Sequence, residues 1–238
     1  MSDARLRLAV AQPPGELDTP DERLGWLREA LPGVAAGGAH LLLLPELFAC
    51  GYNIGARVAE RAEPAGGPTA QAVAELAQAH GVAIHYGFSE RADGRLYNAA
   101  LCIGPGGERL GHHRKLVIPP GFERDHFSPG RGCRLFGFRG FRIATLICYD
   151  AEFSETARHV AAQGAEVILV PTALRDVWEW VARAMIPTRA YENGVYLGYA
   201  NGAGVDNGMA YLGQSVIAAP DGTEAARAGA GPEILYAD

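Results

Sequence analysis

The sequence predicts an α/β protein: a four-layer αββα sandwich of two mixed sheets flanked by helices, in a single domain spanning residues 1–238. Three observations predict it. Short apolar runs of strand length alternate with longer segments of helical periodicity. Hairpin signals such as Gly104-Pro-Gly-Gly107 interrupt the helical crossovers, so the sheets must mix parallel and antiparallel pairs. Hydrophobic content of 48 % with 20 % charged residues supplies a core that needs no disulfide staples.

Taken in order, Leu6–Ala11 reads as a first buried strand. Thr19-Pro20-Asp21-Glu22 then starts a helix, with Thr as cap, Pro at the first helical position and Glu three residues after the cap. Leu24, Leu27 and Leu31 follow at helical spacing, and His40–Leu44 is a strand covered on both faces. Pro68 opens a second helix that turns Val73, Leu76 and Ala77 inward. Val82–Phe88, Leu96–Ile103, Glu108–His112 and Phe141–Ile147 are successive strands, followed by a helix over Ala151–Gln163 and a strand at Val167–Val170. A longer helix from Asp176 to Asn193 should be kinked by Pro187, which lacks an N–H and crowds the preceding turn. Val195–Ala200, Leu212–Ala218 and Glu233–Tyr236 complete the strands, with a turn at Pro220-Asp-Gly222.

Composition excludes several classes of function. Acidic residues outnumber basic ones, 27 to 21, and the basic residues are scattered, so nothing marks a nucleic-acid or anionic-membrane partner. Leu41–Leu44 and Val167–Val170 are far too short to span a bilayer, and Met1–Arg5 has no signal-peptide anatomy, which makes the cytoplasm the expected compartment. Cys50, Cys102, Cys133 and Cys148 are widely spaced, without the CxxC pairing of a zinc knuckle. No GxGxxG follows a strand and no Walker-type loop is present, so no nucleotide cofactor is expected.

Three segments share one layout, in which an apolar strand ends and a reactive side chain stands at or just beyond its end. Such positions face the crevice outside a sheet. In Leu41-Leu-Leu-Leu-Pro45-Glu46 the carboxylate is either a surface group or one desolvated enough to shuttle protons near neutrality. Lys115, in Gly111-His-His-Arg-Lys115, belongs either to a solvated basic run or to an inward cation that stabilises an oxyanion. Cys148 closes a strand before a helix, the geometry that exposes a nucleophile on a tight turn, and a neighbouring cation would lower its pKa. The Tyr149 N–H would then be a second oxyanion donor. Free cysteines are also commonly small core residues. Cys102, in mid-strand, and Cys133, at a strand start, are read that way, and Cys50 as at most a pocket wall. Tyr52, Trp178 and Trp180 are candidate pocket walls or simply core. A Cys–His dyad drawing on His112, His113, His126 or His159 is a rival constellation. Metal-dependent hydrolysis is disfavoured, because HxH and HExxH spacings are missing and adjacent His112 and His113 in a strand point to opposite faces.

Together the Leu-Pro-Glu46-Leu-Phe, Arg-Lys115-Leu and Cys148-Tyr-Asp-x-x-Phe segments resemble the nitrilase superfamily of carbon–nitrogen hydrolases. The resemblance extends to Gly51-Tyr52-Asn53, Phe127-Ser-Pro-Gly130, Pro171-Thr-Ala173, Arg189-Ala-Tyr-Glu-Asn193 and Gly213-Gln-Ser215, and so covers nearly the whole chain. It implies Glu46 as general base, Lys115 as oxyanion cation, Cys148 as nucleophile and Glu123 as a further carboxylate holding lysine and substrate. Tyr149, Tyr52, Thr172, Ala173 and Trp178 would then contact the substrate. The implied reaction is hydrolysis of a small amide through a cysteine thioester, with no metal or organic cofactor.

Family nitrilases carry Trp-Glu after the cysteine. Tyr149-Asp150 here, with Gly51-Tyr-Asn-Ile-Gly55, looks like the aliphatic and amino-acid amidase branch, and the shorter Asp150 should reshape the pocket floor. N-carbamoyl amino acid hydrolysis, where Arg175 would hold a carboxylate, and nitrile hydrolysis are the alternatives, with a catalytically silent binding module outside enzymology. Ser154 replaces the family's usual Pro and reads as a helix cap. The family also implies a homodimer or higher homo-oligomer, and many members carry a further segment beyond the position of Asp238.

Overall fold

The computed structural model describes residues 4–238. The reading of the N-terminus at Met1–Asp3 falls outside the described residues. In chain order the elements are β1 (Leu8–Gln12), α1 (Pro20–Ala36), β2 (Leu41–Leu43), α2 (Arg57–Glu60), α3 (Pro68–His80), β3 (Ala83–Ala92), β4 (Arg95–Ile103), β5 (Arg109–Arg114) and α4 (Phe122–His126). β6 (Phe136–Phe138), β7 (Phe141–Thr145), α5 (Ser154–Ala162), β8 (Val167–Pro171), α6 (Ile186–Asn193) and β9 (Tyr196–Ala200) follow. The chain closes with β10 (Val205–Asp206), β11 (Met209–Ala210), β12 (Val216–Ala218), β13 (Glu224–Arg227) and β14 (Glu233–Ala237).

Two six-stranded mixed sheets form, in the orders β14-β1-β2-β3-β4-β5 and β13-β12-β9-β8-β7-β6. One cluster packs α1 and α3 on the first sheet through Leu27, Leu31, Val73 and Ala77. A second packs α5 and α6 on the other through Ala157, Val160, Ile186 and Ala190. Val10, Leu41, Leu43, Ile143, Leu169 and Ile217 fill the space between the sheets. The four-layer αββα sandwich is therefore present. Both sheets also repeat one pattern that no sequence repeat announces. β1, β2 and β3 run parallel, flanked by antiparallel β14 on one side and β4 and β5 on the other. β7, β8 and β9 run parallel, flanked likewise by β6 and by β12 and β13.

Local chemistry accounts for most elements. The Thr19–Glu22 capping box starts α1, satisfying two otherwise orphaned N–H groups. Gly81, in the left-handed conformation, ends α3. The Asp176–Asn193 helix forms, with irregularities: a 3₁₀ turn at Asp176–Trp178 opens it and a π turn at Val181–Met185 runs directly into α6, so the regular ladder is disturbed just ahead of Pro187, which lacks an N–H and crowds the preceding turn. Two expectations are corrected. Ser154 is the first residue of α5, whose cap position is Phe153, and no side chain caps that end. The first helical position is one that suits Pro, which explains the family exchange. Cys133 begins no strand; β6 starts at Phe136, and the half-buried Cys133 lies in the irregular segment before it.

Two glycines fix how closely the layers approach. A Cβ on Gly198 of β9 would sit 2.8 Å from Leu8 Cδ2 across the sheet interface. At Gly87 of β3 it would sit 2.3 Å from the Leu47 backbone nitrogen and 2.8 Å from Glu46 Cα. Among the described residues no helix is long and apolar enough to cross a membrane.

Because the atom met at Gly198 ends a flexible side chain and that at Gly87 is backbone, Gly87→Ala should be the costlier change. We expect Gly87→Ala to lose about 2 kcal/mol or more of stability, with a melting temperature lower by several degrees, and Gly198→Ala to lose less. Paired thermal melts check this ranking, and the reverse order would refute the packing argument.

Candidate active site

Glu46 lies just beyond β2, Lys115 beyond β5, Cys148 beyond β7 and Thr172 beyond β8. All these strands run in the direction of their sheet's parallel core, so their C-terminal ends bring the four residues to one edge of the sandwich. Glu46 N–H reaches the Thr172 carbonyl at 3.4 Å, joining the two sheets there.

The centre is a buried cluster of three charges. Lys115 Nζ donates to Glu46 Oε1 at 2.6 Å and to Glu123 Oε1 and Oε2 at 2.6 and 2.8 Å. Its side chain and that of Glu46 are fully buried, which settles the choice between surface and inward readings for both. Asn98, in β4, was not picked out by sequence reasoning. Its Nδ2 donates to Glu46 Oε1 at 2.7 Å and to Glu123 Oε2 at 2.9 Å, so it spans the same two carboxylates as the lysine. A single polar residue between apolar neighbours in Tyr97-Asn98-Ala-Ala-Leu101 was the available signal. Tyr52 OH donates to Glu123 Oε1 at 2.8 Å. Glu46 Oε2 is buried with no partner among the described residues.

Two like charges around one cation in a dry site perturb Glu46, Lys115 and Cys148. Burial, opposed by Lys115 and reinforced by Glu123, pushes Glu46 up to about 7. Burial pulls Lys115 down, yet the charges of Glu46 and Glu123 outweigh it and hold the ammonium protonated. Cys148 goes the opposite way from the sequence expectation. Lys115 and the Thr172 hydroxyl do favour its thiolate, but burial and the two carboxylates prevail, so the thiol is held well above its ordinary value.

Cys148 is half-buried and opens a 3₁₀ turn, Cys148–Glu152, with φ of +45°. A non-glycine residue held there is strained, as at other exposed-nucleophile turns. The first N–H groups of such a turn have no partner within it, so the Tyr149 N–H is free of that obligation. Arg189 anchors the far end of the turn, donating to the Ala151 and Glu152 carbonyls at 3.1 and 2.7 Å.

Asp150 was expected to shape the pocket floor, and this is corrected. Its buried carboxylate lies beneath the turn and accepts from Ile147 N–H at 3.0 Å and from Leu116 and Val117 N–H at 3.0 and 2.8 Å. His113 Nε2 lies 3.2 Å from it. Asp150 thus ties the residue before the nucleophile to the two residues after Lys115. Sequence reasoning missed this role because the contacts lie more than thirty residues away in the chain.

The remaining candidates divide. Thr172 is buried, with its hydroxyl 3.1 Å from Tyr199 OH, and Ala173 is buried beside it. Trp178 and Trp180 are 58 % and 73 % exposed, so they are not core. Arg175 is exposed. His112 pairs with Glu90 at 2.9 Å while His113 turns to Asp150, and no histidine is among the groups that act on Cys148. No cluster of three or more His, Cys, Asp or Glu side chains among the described residues could hold a metal ion.

A family profile described as carbon–nitrogen hydrolase matches residues 7–238. Among curated proteins, the chain is 44 % identical to a hydrolase in the pqqF 5′ region of Pseudomonas protegens, over 94 % of this chain and 79 % of that one. It is 38 % identical to an (R)-stereoselective amidase of a Pseudomonas species, over 79 % of this chain and 68 % of that one. Among solved structures, an amidase from Nesterenkonia sp. superposes with a TM-score of 0.92 at 30 % identity, covering 99 % of this chain and 90 % of that one. A mutant of the Nesterenkonia sp. AN1 amidase, with acrylamide added to its active-site cysteine, matches at a TM-score of 0.88 and 29 % identity, over 98 % and 93 % of the two chains.

The raised thiol has a direct consequence for reactivity. Alkylation of Cys148 by iodoacetamide should keep rising with pH past about 9, beyond the titration of an ordinary thiol. Intact-mass kinetics with peptide mapping measure this, and a plateau near neutrality would reveal a preformed thiolate.

Proposed function

The chain belongs to the carbon–nitrogen hydrolase family, on the amidase branch of the nitrilase superfamily, and from that premise we propose that it hydrolyses a small carboxamide through a Cys148 thioester. The observation that carries this reading is the buried Glu46–Lys115–Glu123 cluster beside a strained, partly accessible cysteine.

Glu46 Oε1 is occupied by Lys115 and Asn98, so Oε2 is the oxygen that takes the thiol proton. Sulfur attacks the amide carbon as that proton leaves, and the carbonyl electrons move to oxygen. One ammonium hydrogen of Lys115 is engaged by Glu46 and another is shared by the oxygens of Glu123, which leaves the third for the oxyanion beside the Tyr149 N–H. Glu46 returns the proton to nitrogen, the C–N bond breaks and ammonia departs. Water then gives a proton to the same carboxylate and attacks the thioester. The C–S bond breaks, sulfur recovers the proton and the acid leaves. A carboxyl group pushed up to about 7 suits both directions of transfer near neutral pH. Tyr52, Thr172 and Ala173 contact the acyl portion in this reading.

Two measurements test it. Mixing the wild-type protein with a small aliphatic amide should give an acyl adduct in intact-mass spectra, mapped to Cys148, while folded Cys148→Ala gives neither adduct nor ammonia. Turnover by that variant would defeat the mechanism.

The second concerns the branch. A nitrile must take up water twice to become an acid, and its thioimidate intermediate needs protonation steps that an amide does not. For substrates with the same acyl portion, kcat/KM for the amide should exceed that for the nitrile by about tenfold or more, or about 1.4 kcal/mol in transition-state binding. Equal nitrile turnover, assayed by ammonia release at one pH, would reassign the substrate and leave the nucleophile standing.

A further inference from the structure

Away from the catalytic edge, a groove of about 580 Å³ runs between β5, the edge strand of the first sheet, and the segment 131–136 leading into β6, the edge of the second. Its walls carry four arginines, Arg109, Arg114, Arg131 and Arg134, together with His112, and no aspartate or glutamate. This concentration occurs in a chain of net charge −6.

Only part of that charge is answered. Glu90, from β3, accepts from Arg114 Nε and Nη2 at 2.7 Å each and lies 2.9 Å from His112 Nε2. These partners outweigh its burial and hold it down at about 2, and the Arg114 guanidinium also lies over the Tyr97 ring, 3.9 Å from its centroid. Glu90 is thus spent on two of the five basic groups. Arg109, Arg131 and Arg134 are exposed and form no ion pair among the described residues.

Beneath the basic rim the floor is apolar. Phe136 packs so closely on Gly111 that a Cβ there would fall 2.5 Å from its ring, and half-buried Leu110 and Leu135 lie alongside. His113 also lines the groove, is 4 % exposed, and has an Nδ1 with no partner among the described residues. A volume in the range of small-molecule pockets, an apolar floor and three unanswered guanidinium forks together suit one ligand class.

We propose that this groove binds a small organic polyphosphate, its phosphates on Arg109, Arg131 and Arg134 and its apolar body on Phe136. Guanidinium groups take phosphate oxygens in bidentate pairs, and several such pairs on one ligand add up where a single exposed ion pair contributes little. The site is separate from the amide chemistry, so it stands or falls without the proposed reaction.

Isothermal titration of the full chain with ATP and with inorganic tripolyphosphate, in about 150 mM NaCl to screen diffuse attraction, tests the site. ATP should bind with a Kd below about 1 mM, tripolyphosphate more weakly, and adenosine not measurably. Arg131→Ala/Arg134→Ala should weaken ATP binding at least tenfold, while its melting temperature and amide turnover stay at wild-type values. No binding by the wild type, or equal binding by the double variant, would overturn the proposal and leave the arginines as charges that keep the β5 edge from pairing with other chains.

Discussion

One ammonium ion held out of water by two carboxylates governs the rest of this molecule. Removing a charge from water costs several kcal/mol, and a lone buried lysine would shed its proton to escape that cost. Lys115 keeps its proton because Glu46 and Glu123 face it at 2.6 Å. The cluster then carries one negative charge too many, and Glu46, pushed up to about 7, absorbs the imbalance by binding a proton readily. The same excess negative charge, with burial, keeps sulfur protonated at Cys148. Nucleophile and base are therefore dormant as a pair, because a thiolate forms only when its proton can be placed nearby and its charge passed on to an acceptor. Such a cysteine is guarded against stray electrophiles in a way that a standing thiolate is not.

Around the cluster, further buried carboxylates act through the backbone. Asp150 accepts three main-chain N–H bonds that join the nucleophile turn to the lysine segment. Asp206, in the small β10–β11 hairpin, accepts from Tyr52 and Asn53 N–H at 3.3 and 3.2 Å and from Tyr211 OH at 2.8 Å. It thereby holds the loop whose tyrosine meets Glu123. N–H and O–H dipoles aimed at a carboxylate hold it in place without a mobile counter-ion, so these outer carboxylates fix the loops that carry the site.

Much of this was legible in the sequence, for physical reasons that differ by element. The α1 capping box and the proline opening α3 are local chemistry, complete within a few residues, and both helices start where predicted. Glu46, Lys115 and Cys148 were visible because each follows an apolar strand, and strand ends converge on one edge. What escaped was long-range or masked by polarity. β3 continues four residues past Phe88 through Ser89-Glu-Arg-Ala92, a polar stretch whose Glu90 is nonetheless buried by its pairing with Arg114. Its hairpin at Asp93-Gly94, like that at Asn207-Gly208, has both central residues at positive φ, and these are dipeptides that favour such turns. Asn98 and Asp150 matter through partners distant in the chain: a lone polar residue among apolar neighbours marks Asn98, but nothing local names the groups that either one meets.

The matching strand order of the two sheets carries a further consequence. Each sheet contributes part of the reactive set, Glu46 and Lys115 from one and Cys148 and Thr172 from the other. The dry layer of Val10, Leu43, Ile143 and Leu169 between them thus behaves as an internal seam, like a subunit interface enclosed within one chain. Slippage along that seam by a fraction of an ångström would part base from sulfur while leaving each sheet's own hydrogen bonds intact. Ordinary aliphatic packing, remote from any charge, therefore sets the alignment of the chemistry, and substitutions in that layer fall under selection for reactivity as much as for folding.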